Sequence, residues 1–304
     1  MNVRRPAEAD FDEVLALMRA ADEAVLPESD WTAATLREYW DDLDLERDAW
    51  IVELDGRMAG YADFEARADG RLIGDGYVHP ELSNRGVGTE LLRLTEERGA
   101  DELSRIEGLV FLQNAALLGD DCTPNLYARN GYEPVRHFWR MVIDLDAAPE
   151  PRVPEGIEIR PYRPQEARAV HAAMEEAFAD HWQHMTRTFE EYAKRTFHRP
   201  GHDPGLYWVA LEGAEIAGAA LCDWKREGDW GWVQIIGVRP RWRRRGIAEA
   251  LLHTAFAEFF RRGERRVGLG VDAESPTGAT RLYERVGMRV FSRVVVYQKV
   301  LRAA

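Results

Sequence analysis

The chain has 304 residues, 45% hydrophobic and 31% charged, with a net charge of −13. That length suits two soluble domains of about 150 residues each, and an acidic chain is a poor general binder of nucleic acid. No run approaches the roughly 20 apolar residues of a membrane span, the first eight residues hold no apolar signal region, and Cys122 and Cys222 lie far apart, outside any metal-ligand spacing; a reduced, cytoplasmic protein with no metal and no membrane or nucleic-acid partner is expected.

In chain order, Val3-Arg4 opens as a short strand. Phe11, Val14, Leu15, Leu17, Met18 and Val25 recur at helical spacing. Asp55-Gly56, between the apolar runs Trp50–Leu54 and Met58–Tyr61, predicts a hairpin. An apolar run ending at Val78 leads into a glycine-bearing loop and a helix. Leu117–Asp121 shows no clear strand; Leu126-Tyr127 lies on a further helix, and Phe138–Leu145 is a strand-forming run. Residues 147–156 contain three prolines and one glycine and are expected to be a linker. The same order then returns. Ile157–Arg160 is a strand, and Val170, Met174 and Phe178 mark a helix over Ala167–Phe178. A hairpin turns at Glu212-Gly213, and a run ends at Val238. Ile247, Leu251, Leu252, Ala255, Phe256 and Phe259 form one apolar stripe. Arg266–Asp272 is a strand, Leu282-Tyr283 sits on a helix, and Val290–Leu301 closes the chain. Each half predicts β-α-ββ-β-α-β-α-β, an α/β class, with domains at 1–146 and 157–304.

Val78–Leu92 and Val238–Leu252 align without a gap at an offset of 160 residues, identical at six of fifteen positions. Each copy is a strand end, a loop with glycine and a helix start. Arg243-Arg244-Arg245-Gly246-Ile247-Ala248 therefore precedes first-turn amides that have no intrahelical acceptor, in the positive end of a helix dipole. Small residues at Gly246 and Ala248 let the backbone approach an anion, and the arginines add charge: a pyrophosphate cradle in physical terms. A P-loop is excluded because no Lys-Ser/Thr follows a glycine, and Gly86-Val87-Gly88 lacks the third glycine of a dinucleotide fingerprint.

Downstream, Ser275-Pro276-Thr-Gly-Ala279-Thr-Arg-Leu282-Tyr283-Glu284-Arg-Val-Gly287-Met288 completes a pattern that resembles the Gcn5-related N-acetyltransferase (GNAT) superfamily. Its acetyl-CoA loop, [Q/R]-x-x-G-x-[G/A], is matched by Arg243, Gly246 and Ala248, and its later helix by Ala279, Leu282, Tyr283, Glu284, Gly287 and Met288. The topology covers nearly all of each half, as in mycothiol-synthase-like tandem members. The resemblance implies two GNAT-like domains, each a mixed, mostly antiparallel sheet flanked by helices. It also implies acetyl-CoA as cosubstrate and an N-acetyltransferase acting on a small-molecule amine. The strand Trp232–Val238 should splay, with backbone groups at Ile236 and Val238 pairing with pantetheine and polarising the acetyl oxygen. Tyr283 takes the place of the family tyrosine that protonates the leaving thiolate. Ser275 or Pro276 stands where an asparagine is common; Ser275, with Pro276 behind it, is expected to cap the helix.

In the first copy Val78, Ser83, Arg85, Gly86, Val87 and Gly88 occupy the corresponding cofactor positions, but Ser83 replaces the family Gln/Arg. The second domain is therefore expected to be catalytic and the first a diverged twin. No general base is evident. Gln234 and Trp232 lie on the strand before the loop; Glu227, Asp229, Asp223 and Asp272 flank it, and a water relay is equally compatible. Five of eight histidines fall between 171 and 202; there Glu175, His181, Trp182 and His184 are expected to line an acceptor pocket, with surface roles or a metal at His181-x-x-His184 as alternatives. Residues 1–150 carry 15 Arg and 33 Asp/Glu, a net −18, and the remainder a net +5, so the acidic half could draw a cation. The acceptors considered are a cysteinyl amine on a pseudodisaccharide, an amino sugar and an antibiotic amine. A non-catalytic acyl-CoA sensor or assembly protein is the alternative class, and a monomer or homodimer is expected.

Overall fold

The structure is a computed structural model that describes residues 1–67, 70–199, 202–224 and 229–302. The chain divides into two compact units, Met1–Phe138 with Ser292–Ala304, and Trp139–Phe291. These differ from the expected domains at 1–146 and 157–304, although residues 147–156 hold no helix or strand. The cause is a strand pairing remote in sequence, which linker composition does not report.

In the first unit β1 (Asn2–Arg4), α1 (Phe11–Glu23), α2 (Ala33–Asp41) and α3 (Leu45–Asp48) precede the hairpin β2 (Ala49–Leu54) and β3 (Arg57–Ala66). Next come β4 (Arg71–Val78), α4 (Val87–Glu102), β5 (Val110–Leu117) and α5 (Cys122–Arg129). Thus β5 lies in 110–117, upstream of the segment where no strand was evident. The strand β6 (Glu133–Asp144) passes from this unit into the next.

The second unit continues with β7 (Glu158–Pro161), α6 (Ala167–Phe178), α7 (Phe189–Thr196), β8 (Tyr207–Glu212) and β9 (Glu215–Asp223). It ends with β10 (Gly231–Val238), α8 (Ile247–Arg261), β11 (Arg266–Asp272) and α9 (Ala279–Arg285). The last strand, β12 (Arg289–Arg302), returns to the first unit.

The strand order in the first unit is β1-β2-β3-β4-β5-β12, and in the second β6-β11-β10-β9-β8-β7. The pairs β1–β2, β2–β3, β3–β4, β5–β12, β7–β8, β8–β9 and β9–β10 are antiparallel, and β4–β5 and β10–β11 are parallel. This is the mixed, mostly antiparallel α/β sheet that was expected, with α2, α3 and α7 added. A parallel pair needs a helical crossover, which α4 and α8 supply.

Strand alternation distributes the core of the first unit. Ile51, Met58 and Tyr61 pack with α1 and α2 residues such as Val14, Met18 and Leu36 on one face. Trp50, Val52, Ala62, Phe64 and Leu72 pack with Val87 and Leu91 of α4 on the other. A register shift between Val52 and Glu53 on β2 makes room for one extra residue, Ala59, on β3, and its carbonyl accepts from the His79 amide at 2.9 Å. The second unit repeats this device at Ala217, which accepts from the Arg239 amide at 2.9 Å. The hairpin turns differ. Asp55 and Gly56 both take positive φ, as a type I′ turn requires, whereas in the second only Gly213 does.

β12 runs along β5 from Val294↔Leu117 to Arg302↔Val110, and Lys299 pairs with Glu96 of α4 at 2.9 Å. Ending the chain at Phe291 is expected to strip hydrogen-exchange protection from residues 110–117 and to destabilise the first unit by roughly 3 kcal/mol or more, while residues 266–272 stay protected. Equal loss in both segments would contradict this assignment of β12.

Candidate active site

In the second unit Pro240–Trp242 forms a single 3₁₀ turn after β10. Arg244 and Gly246 then take left-handed backbone, φ 63° and 81°, and α8 begins at Ile247 with no side chain capping it. The first-turn amides are thus left for an outside acceptor. Gly246 is required by its backbone: a Cβ would meet nothing nearer than Pro154 at 3.7 Å, but a side chain in this conformation is strained. The three expected arginines separate. Arg243 is turned back onto α6, donating to Asp180 at 2.7 Å and to the Ala177 carbonyl at 2.9 Å. Arg245 pairs with Glu212 at 2.7 Å. Arg244 is exposed and makes no ion pair among the described residues.

β10 pairs with β11 only at Gly231↔Val267 and Trp232↔Gly268. Both strands run on, to Val238 and Asp272, with no further pairing, so the β11-facing backbone of β10 beyond Trp232 has no strand partner. A register shift at Gln234 against β9 bends β10 where it leaves β11. Ile236 and Val238, both half-buried, lie on this open stretch, which runs directly into the uncapped loop.

Tyr283, on α9, is buried and its hydroxyl has no hydrogen-bond partner among the described residues. Burial pushes its phenol well above the ordinary tyrosine range, so it is a proton donor at neutral pH. Ser275 does not cap α9, which starts at Ala279 behind a left-handed Gly278. The Asp272 carboxylate instead accepts from the Glu274 amide at 2.9 Å and closes the turn after β11, while Ser275 Oγ lies 2.9 Å from Thr277 Oγ1.

Glu175, His181, Trp182 and His184 are all half-buried, at the end of α6 and in the segment after it. Glu175 lies 3.3 Å from His184 and 3.8 Å from His171. Burial holds His181 below the usual imidazole range, against the opposing fields of Asp180 and Asp272, and its ring is 4.5 Å from that of Phe178. Among the other candidate bases, Asp223 is engaged by Arg199 and Asp272 by the turn. Asp229 sits at φ 60°, and Glu227 lies outside the described residues. No group of three metal-binding side chains occurs among the described residues.

The first unit builds the same frame. Asn84 and Gly86 are left-handed (φ 60° and 85°), α4 starts uncapped at Val87, and Arg85 reaches the hairpin turn at Asp55, 2.9 Å away. β4 and β5 pair from Arg71↔Phe111 to Ile73↔Gln113 and then part, leaving Gly74–Val78 open on that side. Gly88 is packed against Leu126, 3.3 Å from an added Cβ, so it is small for packing. Ser83 is half-buried and supplies no long cation. Tyr127 differs from Tyr283: its hydroxyl donates to the Ala115 carbonyl at 3.2 Å, and its ring packs on Tyr132 and Tyr297. Two carboxylates missed from sequence face each other here, Asp63 and Asp75. Burial pushes Asp75 up to about 6, helped by the charge of Glu65 and opposed by Arg67. The available signal was Asp75 between Gly74 and Gly76, the one charged residue of the run Leu72–Val78.

A model of the Acetyltransferase (GNAT) family matches residues 169–288, and one of an Acetyltransferase (GNAT) domain matches residues 46–134. A protein named mycothiol acetyltransferase from Catenulispora acidiphila is 30% identical over 97% of both chains. A second of that name, from Geodermatophilus obscurus, is 32% identical over 94% of this chain and 93% of its own. The chain belongs to the GNAT acetyltransferase family. A GCN5-related N-acetyltransferase from Sphaerobacter thermophilus superposes with a TM-score of 0.91 at 37% identity, covering 100% of this chain and 96% of its own. A tandem GNAT protein from the clavulanic acid biosynthesis pathway shares the fold at 16% identity, with a TM-score of 0.74 and full coverage of both chains.

This GNAT protein is an N-acetyltransferase with two GNAT domains, and nothing in the comparisons favours a non-catalytic sensor. Two consequences of its geometry are measurable. Gly246→Val should cost about 1–2 kcal/mol of backbone strain and weaken coenzyme A binding, read as an increase in Kd by calorimetry; an unaltered Kd would detach this loop from binding. Asp75 has a folded pKa above its unfolded value, so its stabilising proton is present below about pH 4 and lost as pH rises through about 6. Asp75→Asn should therefore gain stability over wild type progressively between those limits, by about 1–3 kcal/mol at pH 7; a difference independent of pH in chemical denaturation would refute it.

Proposed function

We propose that the chain transfers the acetyl group of acetyl-CoA to a primary amine of a small molecule, and that the second unit carries the chemistry. The observation that supports this best is the continuous open edge from the unpaired stretch of β10 into the uncapped start of α8. The coenzyme A thioester supplies the acetyl group and the leaving thiol. Free first-turn amides and the unpaired Arg244 suit its pyrophosphate. Backbone N–H groups on the open edge at Ile236 and Val238 are fixed donors for the oxyanion that forms when the amine attacks the thioester carbonyl. His181, kept neutral by burial, accepts the amine's proton, with Asp180 and Asp272 stabilising the imidazolium. Tyr283, kept protonated by burial, gives its proton to the departing thiolate. Arg243 positions the loop by tying it to α6.

For the acceptor, the full-length relatives named mycothiol acetyltransferase support a mycothiol-precursor-like amine. Glu175 and His184, 3.3 Å apart, offer polar groups to such an acceptor. Assay against that amine, an amino sugar and an aminoglycoside tests the acceptor. Tyr283→Phe tests the site: turnover is expected to fall about 100-fold while acetyl-CoA affinity stays within about twofold. Turnover equal to wild type would remove Tyr283 from the reaction, and loss in Tyr127→Phe instead would move the chemistry to the first unit.

A further inference from the structure

One arginine of the second unit joins the coenzyme loop to the segment that carries His181. Arg243 follows the 3₁₀ turn after β10. Its Nε donates to the Val238 carbonyl at 3.2 Å, and its Nη2 to the Ala177 carbonyl, in the last turn of α6, at 2.9 Å. Nη1 and Nη2 together hold the Asp180 carboxylate, at 2.7 and 3.2 Å. These bonds occupy all but one of the guanidinium N–H groups, so Arg243 is not held ready for a phosphate. Asp180 lies just past the end of α6 and directly before His181. From there the chain is compact: the His181 amide donates to the Phe178 carbonyl at 2.9 Å, and the His184 amide to the His181 carbonyl at 3.1 Å. Its far end is fastened to α6 as well, by His184 on Glu175 and by His171, whose Nε2 is 3.0 Å from the Arg187 carbonyl.

A second ion pair shows what the first adds. Arg239, the residue after β10, binds Glu176 at 2.6 Å and so already joins the end of that strand to α6. Holding the loop against α6 therefore does not require Asp180; what Asp180 supplies is a link onward to His181. The first unit has Ser83 at the position of Arg243 and lacks this clamp. We propose that Asp180 is a positioning residue for the acetyl transfer, which through Arg243 makes the placement of His181 depend on occupancy of the coenzyme loop. This rests on the acetyl-transfer reading. Coenzyme A on the open edge of β10 and the start of α8 orders the backbone around Arg243, and the bidentate pair passes that order to residues 180–184. By linkage, an acceptor that orders this segment tightens coenzyme binding by the same factor. Asp180 also acts on His181 by its charge. Burial opposes the imidazolium, Asp180 and Asp272 favour it, and Arg243 and His184 oppose it.

Hydrogen exchange on the full chain, with and without coenzyme A, tests the link. Protection at 241–248 reports that the second unit is occupied. In wild type and in Glu176→Gln, coenzyme A is expected to slow exchange across 179–188 about tenfold; in Asp180→Asn, whose carboxylate is exposed, that slowing is expected to vanish while 241–248 stay protected. With the mycothiol-precursor amine, Asp180→Asn should lower kcat about tenfold and, by removing a charge that favours the imidazolium, move the acid limb of the pH profile of kcat to lower pH. Glu176→Gln should do neither. Slowing across 179–188 in Asp180→Asn equal to wild type, its absence in wild type with 241–248 protected, its loss in Glu176→Gln, or an unmoved acid limb in Asp180→Asn overturns the proposal and leaves the acetyl-transfer reading standing. No protection at 241–248 in wild type overturns that reading, and the proposal with it.

Discussion

Each unit depends on one parallel strand pair that stops pairing partway. The ladder between β10 and β11 covers two residue pairs, and that between β4 and β5 covers three. Parallel strands must be joined by a crossover, so the strand that loses its partner runs straight into the loop that starts the crossover helix. Two sets of unsatisfied backbone groups, the strand edge and the helix start, thereby face one opening. A buried orphan amide is costly, which makes such an edge a place for a ligand to complete.

Around that opening the chain spends its side chains on holding the loop rather than on filling the site. The extra strand residues Ala59 and Ala217 present carbonyls to the amides that follow β4 and β10, locking where each loop departs. Arg85 and Arg245 are drawn to the acidic residues of their own hairpin turns, and Arg243 to α6. Positive charge concentrated in the sequence is thus largely neutralised in the fold. What is left for an anion is backbone, helix dipole and Arg244.

The two units share this frame and differ in what surrounds it. In the second, an unpartnered tyrosine hydroxyl and a neutral imidazole accompany the open edge. In the first, the tyrosine is engaged by a backbone carbonyl, and the opposite face of the strand carries buried carboxylates among aromatic rings. Desolvation acts on both sets in the same sense, disfavouring charge. It keeps the tyrosine protonated and the histidine neutral and raises the Asp75 carboxyl to about 6, so burial separates donors from acceptors.

The sequence by itself determined the duplication, the loop with its left-handed glycine, the uncapped helix start, the tyrosine-bearing helix and the family, because each is a short-range pattern tied to local backbone geometry. Glycine at 246 needs its φ whatever packs around it. Tertiary structure alone decided the rest. Residues 292–302 belong to the first unit because β5 requires a second edge partner, and nothing within β12 says which edge it will meet. Asp63 and Asp75 are twelve residues apart in the chain and become a pair only through the register of β3 on β4. Ser275 loses the cap because the Asp272 carboxylate takes up the turn first. Which arginine stays unpaired depends on where Asp180 and Glu212 fall in space, and that is fixed by packing at long range rather than by spacing along the chain.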